Sequence, residues 1–369
     1  MVTRIYIDNF RSLVNFELKL DRMNLLIGAN GSGKSSVFDV LRKLQDFIVG
    51  AAKVHEVFPA SGITRWQTSR TQRFELDLQV GDDVYTYKLL VENDQELRKM
   101  RVEKEHLALN GDTLFKCMTG EAKLFRDDGG GSGYSYPFDW SQSGVGVLHE
   151  RPENKKLTQF KRHLNKIVIA RPVPALMQVE SRGEEERLTL RMENFASWYR
   201  YLAQEQMGAM AGLLQELRKT IPGFSSLRLK ESGEDSRSLK VQYERTDGGK
   251  ALEYSFSELS DGEKMLVALY SLIFGLKDEG ITLFLDEPDN YLALGEIQPW
   301  LTTLADACGE SVEQAVLISH HPEIINYLGG SKGRWFIRDP ESPTRVDTEP
   351  KTSTDGLTLS ETVARGWSK

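Results

Sequence analysis

The chain has 369 residues, 40% of them hydrophobic and 27% charged, with a formal net charge of -7, which is long for one compact domain, short for three, and ample for a buried core. The acidic balance excludes a wholesale basic footprint for DNA or RNA while leaving room for a local basic face. Only two cysteines, Cys117 and Cys308, occur, so there is no disulfide framework and no cysteine-rich zinc site; with no apolar leader and no bilayer-long apolar run, a cytoplasmic protein that engages no membrane is expected.

Residues 2–8 alternate as a strand, and a second strand runs through Phe16, Leu18 and Leu20. Leu25-Leu26-Ile27 reads as a buried strand, Gly28 to Lys34 as a tight glycine loop, and Val37, Leu41, Leu44 and Ile48 carry helical spacing. From Phe74 to Val147 the period changes to two, with turn signals at 110–112 and 127–131, which predicts an antiparallel meander inserted after the first helix. The glycine-rich stretch 129–133 reads as a turn, because no lysine or helix follows it to make a phosphate loop. Ile167-Val168-Ile169 is another buried strand. One long amphipathic helix is predicted next, with Phe195, Trp198, Tyr199, Leu202, Met210, Leu213, Leu214 and Leu217 on one face as core packing, ended by Pro222-Gly223. A hairpin over 227–229 and 239–243 precedes a helix over 261–276, a strand over 281–285, a helix over 294–304 and a strand over 315–318.

The two late strands are apolar on both faces, as in a covered parallel sheet. The expected fold is therefore α/β, with a mostly parallel core sheet built from both ends of the chain. Residues 1–170 would form the first half with its antiparallel β subdomain, 171–255 a helical lobe and hairpin inserted mid-chain, 256–340 the second half, and 341–369 a tail.

Four motifs carry chemistry. Gly28-Ala29-Asn30-Gly31-Ser32-Gly33-Lys34-Ser35 fits G-x-x-x-x-G-K-[ST] between a buried strand and a helix. Its amides can ring a phosphate at the helix N-terminus, Lys34 can reach the β- and γ-phosphates, and the Ser35 hydroxyl can hold Mg²⁺. The strand over 281–285 delivers Asp286, suited to Mg²⁺, and Glu287, suited to orienting or deprotonating an attacking water. Ser260-Asp261-Gly262-Glu263 opens a helix: it is a capping box on local grounds, and its hydroxyl and bare amides also suit a γ-phosphate supplied by another subunit. Ser319-His320-His321 ends the last strand, and His320, directly after the buried run, is favoured over His321 to meet the γ-phosphate or the attacking water.

In this order the motifs resemble the ABC-type ATPase heads of the SMC, RecF and OLD-like group of AAA-family ATPases, which are P-loop NTPases. Ile7-Asp8-Asn9-Phe10-Arg11-Ser12, followed by 25–36 through Lys34, Ser35 and Ser36, looks like the group's opening. Leu259 to Glu263 resembles its signature, Asp286-Glu287 its Walker B pair, Asp289 its D-loop position and His320 its switch histidine. The resemblance covers 1–50 and about 255–340 closely, and the middle in outline. It implies a homodimer of heads that sandwiches ATP, with Lys34 and Ser35 of one head and Ser260 and Gly262 of the other sharing each nucleotide. It further implies Glu287 as general base and Arg11 near the nucleotide.

The sequence departs from the group in three places. No clear Q-loop is found, Gln178 being a weak candidate; no sustained heptads link the core halves; and only about thirty residues follow Arg338, too few for a TOPRIM nuclease. The expected function is a nucleotide-gated ATPase switch serving a separate effector, such as a nuclease or toxin in anti-phage defence. The alternatives are a RecF-like DNA-repair clamp, a transporter ATPase subunit disfavoured by the β insertion, and a scaffold that binds ATP without turnover.

Overall fold

The computed structural model describes residues 1–94, 99–118, 120–127, 133–245, 247–276, 280–349 and 356–365. The glycine-rich turn expected at 129–133 lies outside them except for Gly133.

The chain opens with strands β1 (Val2–Asp8), β2 (Phe16–Lys19) and β3 (Met23–Gly28), then helix α1 (Lys34–Ile48) and the single turn α2 (Val54–Val57). A meander follows: β4 (Thr71–Val80), β5 (Asp83–Asp94), β6 (Lys99–Leu109), β7 (Asp112–Met118), β8 (Glu121–Leu124) and β9 (Tyr134–Pro137). Helices α3 (Gly144–Val147) and α4 (Lys155–Asn165) lead into β10 (Ile167–Ala170), and β11 (Glu180–Ser181) precedes α5 (Phe195–Glu205) and α6 (Met207–Thr220). Strands β12 (Phe224–Glu231), β13 (Arg237–Tyr243) and β14 (Leu252–Ser255) come next. The last part runs α7 (Asp261–Phe274), β15 (Ile281–Asp286), α8 (Leu294–Ala307), β16 (Val312–Ile318), α9 (Pro322–Lys332), β17 (Gly333–Ile337), β18 (Arg345–Asp347) and α10 (Leu359–Ala364).

The core sheet has the order β10-β15-β16-β3-β17-β18. Its first five strands are parallel and β18 is antiparallel. Strand β3 from the N-terminal part thus lies between β16 and β17 from the C-terminal part. Successive residues serve opposite faces, as the pleat requires. Leu26, Phe284, Val316 and Ile318 join the apolar cluster that contains α1 and α4. Leu25, Ile27, Leu283, Leu285, Ala315 and Leu317 join the cluster that contains α5 to α9. Burial on both faces explains why these strands read as unbroken apolar runs.

The meander does not stand apart after α1. It joins the N-terminal strands in one eight-stranded antiparallel sheet, β2-β1-β4-β5-β6-β7-β8-β9. Its inner face carries Ile5, Ile7, Phe74, Leu76, Tyr87, Leu89 and Leu107 onto α1 and α4. The buried Gln314 carboxamide ties this sheet to the core: it accepts from Val2 N at 2.9 Å and donates to Val2 O at 2.7 Å and Asp21 O at 2.8 Å.

The single long helix expected over the 195–217 stripe is two helices. Gln206 leaves helical geometry at φ -122° and ψ 44°. The apolar stripe continues across that break, so periodicity alone does not reveal it. Among the described residues, no helix is long and apolar enough to cross a membrane.

Candidate active site

Strand β3 delivers its C-terminal end to a loop that only glycine permits. A Cβ at Gly28 would sit 2.3 Å from Phe336 O of the neighbouring strand. Gly33 has φ 104°, and a Cβ there would sit 2.8 Å from Thr344 Oγ1. With Gly33 as N-cap, α1 begins at Lys34 with no side chain capping its first turn. Within the chain, and among the described residues, no acceptor meets the amides of Gly31, Gly33, Lys34 and Ser35. A helix N-terminus with free donors around a glycine loop is built to take an anion. Lys34 folds back over this loop, donating to Gly28 O at 2.7 Å and Ala29 O at 3.1 Å. Burial pushes its ammonium below the ordinary lysine value, against the opposing fields of Asp286 and Glu287.

The facing wall comes from the ends of β15 and β16. Burial raises the Asp286 carboxyl above the usual aspartate value, and the Ser35 hydroxyl opposes that rise as a hydrogen-bond partner. Glu287 stands in left-handed geometry at φ 52°, its amide donating to Ile318 O at 2.8 Å. Its Oε2 accepts from Asn290 Nδ2 at 2.9 Å and meets Arg171 Nη2 at 3.5 Å. A non-glycine residue held at positive φ by a neighbouring strand marks a position where side-chain aim is fixed. His320 lines the same cleft, and burial, with Lys34 nearby, pushes its imidazole below the usual value. His321 does other work: its Nδ1 caps α9 by accepting from Glu323 N at 3.2 Å. Asp289 is buried beside Ser319, with its pKa raised by that burial.

Between the walls lies a cleft of about 740 Å³ that brings together Arg11, Asn30 to Ser36, Glu287 and His320. Arg11 pairs with Asp39 at 2.8 Å and stacks over Phe10 at 5.0 Å, on a turn with φ 52°. The buried Asn9 amide holds this turn, donating to Ser69 O at 2.9 Å and Thr71 O at 3.0 Å while its carbonyl accepts from Thr64 N at 3.3 Å. Arg65, Trp66, Arg171 and Arg338 also line the cleft and were not among the sequence candidates. Arg338 donates to Gly31 O at 3.0 Å and lies over the Trp66 ring at 5.8 Å. Thr344 is fully buried behind the loop, its hydroxyl donating to Ser32 O at 2.9 Å and meeting Ser12 Oγ at 3.0 Å. Arg171 directly follows β10, and ligands of parallel sheets gather at the carboxyl ends of strands. That rule points to Arg171. Gln178 is exposed, binds Glu193 O through its amide, and does not line the cleft.

Ser260, Asp261, Gly262 and Glu263 also lie outside the cleft. Ser260 Oγ accepts from Glu263 N at 3.2 Å, and Glu263 holds Ser260 N at 3.0 Å in the reciprocal capping box. Tyr243 OH donates to Glu263 at 3.0 Å. A Cβ at Gly262 would sit 3.1 Å from Tyr291 O, which places this helix start beside the segment that carries Glu287 and Asp289.

The oxygen donors fit Mg²⁺ with a nucleotide. Ser35 and Asp286 supply a hydroxyl and a carboxylate side by side, and no group of three or more His, Cys, Asp or Glu is gathered for a metal among the described residues. Few protein oxygens, with phosphates and water to complete the shell, is the pattern this ion prefers.

Comparison with known proteins bears on the family and the fold. Residues 1–174 match the family model described as "AAA ATPase domain". Residues 125–326 match the model described as "AAA domain, putative AbiEii toxin, Type IV TA system". No curated protein matches the chain. Among solved structures, an SMC head domain with an extended coiled coil bound to the C-terminal domain of ScpA, derived from Pyrococcus furiosus, is 13% identical with a TM-score of 0.56, covering 99% of this chain and 98% of that one. An SMC head bound to the C-winged helix domain of ScpA is 14% identical with a TM-score of 0.55, covering 94% of this chain and 96% of that one. At such identities the likeness concerns the fold, which is that of an SMC-type ATPase head.

Proposed function

The chain belongs to the AAA-domain family matched over residues 125–326, and on that premise we propose that it hydrolyses ATP as a switch between paired heads and acts through a separate protein effector. One observation carries the reading. The glycine loop, Glu287 and His320 line one cleft and Asp286 is hydrogen-bonded to its Ser35, whereas the serine-glycine helix start lies outside it. A second head could bring its own Ser260 and Gly262 to that cleft, completing the shell around the γ-phosphate in trans.

In this reading the loop amides and Lys34 bind the β- and γ-phosphates, and Arg11 neutralises charge beside Ser36. Ser35 and Asp286 would hold Mg²⁺, which would supply electrostatic stabilisation of charge on the phosphate oxygens. Glu287 orients the attacking water and takes its proton. Its aim is set by Asn290 and by its left-handed backbone, and Arg171 holds the same carboxylate in the unpaired head. His320, neutral at pH 7 because burial depresses its pKa, donates a hydrogen bond toward the γ-phosphate without adding a charge to the wall.

Two SMC heads of similar fold are bound to parts of ScpA, which supports a separate protein partner, and the family description, "AAA domain, putative AbiEii toxin, Type IV TA system", supports a setting in a toxin–antitoxin system. The test is Glu287→Gln. Hydrolysis should fall by about a hundredfold or more, while ATP binding persists and light scattering shows an ATP-dependent dimer. A nuclease- or toxin-like protein should co-purify stoichiometrically with that trapped state. An unchanged rate would point to another base or to a non-hydrolysing scaffold.

A further inference from the structure

Arg171 stands on the carboxylate wall of the cleft, and its backbone fixes it there. Strand β10 runs parallel to β15 with Ala170 opposite Leu285, so Arg171 and Asp286 leave the sheet side by side. On the other side, the Arg171 amide donates to Leu190 O at 2.7 Å and the Val173 amide to Arg191 O at 3.2 Å. Pro172 between them confines Arg171 to extended geometry. The main chain is thus pinned on both flanks, and the freedom left at this position belongs to the side chain.

That side chain is loosely engaged. Among the described residues its one ion-pair partner is Glu287, with 3.5 Å from Nη2 to Oε2, and the guanidinium side chain is 53% exposed. A single long contact at such exposure is weak beside the two parallel hydrogen bonds that a guanidinium makes to a phosphate. Three other cations of the cleft are engaged on the opposite wall: Lys34 with Gly28 O and Ala29 O, Arg11 with Asp39, and Arg338 with Gly31 O. Arg171 instead serves the acidic wall. Burial raises the Asp286 carboxyl, and after the Ser35 hydroxyl the field of Arg171 is the main influence opposing that rise. A γ-phosphate seated between the glycine loop and Glu287 brings negative charge toward a carboxylate, and Arg171 is within the same cleft to meet it.

We propose that Arg171 makes the site sense a triphosphate: its guanidinium restrains the Glu287 carboxylate in the nucleotide-free head and passes to the γ-phosphate when ATP is loaded, leaving Glu287 free to take the water. The inference rests on the ATPase reading given above and adds a condition to it. A ligand shifts such an equilibrium only by its differential affinity for the two arrangements. ADP ends at the β-phosphate on the loop amides, offers the guanidinium nothing new, and leaves the pair with Glu287 closed. ATP supplies a more highly charged, bidentate acceptor, and the same movement that grips the substrate releases the base. A neutral amide at position 171 would have the charge for neither task.

The experiment is isothermal titration calorimetry of the full chain with Mg²⁺, comparing β,γ-imido-ATP, which is not hydrolysed, with ADP. Arg171→Met should weaken imido-ATP binding by about tenfold or more and leave ADP within about twofold of the wild type, so that ADP binding checks the fold. Arg171→Lys, which keeps the charge without the fork, should recover part of the loss. Glu287→Gln should tighten imido-ATP binding at least about threefold more with Arg171 present than with Met in its place, because only there does it free a guanidinium. For ADP the two backgrounds should agree. Lys34→Ala should lose both nucleotides. An Arg171→Met chain that binds both nucleotides as the wild type does, or loses both alike, would overturn the proposal, and so would an equal effect of Glu287→Gln in the two backgrounds. With Lys34→Ala silent, those outcomes leave the ATPase reading standing. A Lys34→Ala chain that still binds both nucleotides would sink the phosphate-loop reading and this inference with it.

Discussion

Burial raises the pKa of Asp286 in the folded head, so the folded state holds a proton there more tightly than the unfolded chain does. The unfolded state therefore binds fewer protons between the two pKa values, and stability falls as pH rises from the unfolded value of about 3.9 through the folded one. Asp286→Asn removes that penalty. The nucleotide-free variant should melt higher than the wild type at pH 7.5, the gap should close as pH approaches 4, and Mg²⁺-dependent hydrolysis should be lost. Melting curves at the two pH values check the sign, and a lower melting temperature at pH 7.5 would mean that the carboxylate is net stabilising. The residues of this conflict were legible in the sequence because strand, glycine loop and helix follow one another within 23–48, and Asp286-Glu287 ends an apolar run. Arg171 follows a strand already legible in the sequence and the strand-end rule reaches it, whereas Arg65, Trp66 and Arg338 were not legible, because nothing in their local spacing tells that distant loops meet over one cleft.

At the scale of elements, the loop depends on a segment more than three hundred residues away. Thr344 N donates to Ser12 O at 2.9 Å, and its hydroxyl bridges Ser12 and Ser32. Strand β18, immediately after it, pairs with β17 at the sheet edge. Thr344→Val keeps the shape but leaves the buried Ser12 hydroxyl and Ser32 carbonyl without this partner, at a cost of about 1–3 kcal/mol. Calorimetry should show that loss together with a raised KM for ATP, and an unaltered KM would mean that the loop holds its shape without this brace. The region 341–349 has little apolar patterning, so its buried threonine could not be found from periodicity. The break at Gln206 escaped for the converse reason: the stripe from Phe195 to Leu217 is regular, and neither proline nor glycine occupies the turn itself.

For the whole molecule, the reading of paired heads makes a prediction that no single-head mechanism shares. Lys34→Ala disables the loop and Ser260→Arg disables the helix start, so each variant alone should be inactive. In a two-fold dimer each mixed pair regains one site, built from the loop of the Ser260→Arg chain and the helix start of the Lys34→Ala chain. Equal mixing should restore about a quarter of wild-type turnover, since half the pairs are mixed and each has one working site of two. No recovery on mixing would place both residues in the same head's chemistry or in none.

The position of β3 between β16 and β17 bears on how the protein is made. The strand that ends in the glycine loop emerges early, yet both of its neighbours in the sheet belong to residues 312–337. At a synthesis rate of about 5–20 residues per second, the strand waits tens of seconds on the ribosome for them. Throughout that interval the unpaired edges of Leu25, Leu26 and Ile27 are open to chaperones or to wrong partners. A ribosome that stalls before residue 312 would leave an aggregation-prone stub whose core sheet lacks both neighbours of β3, so the cell meets this fold either whole or not at all.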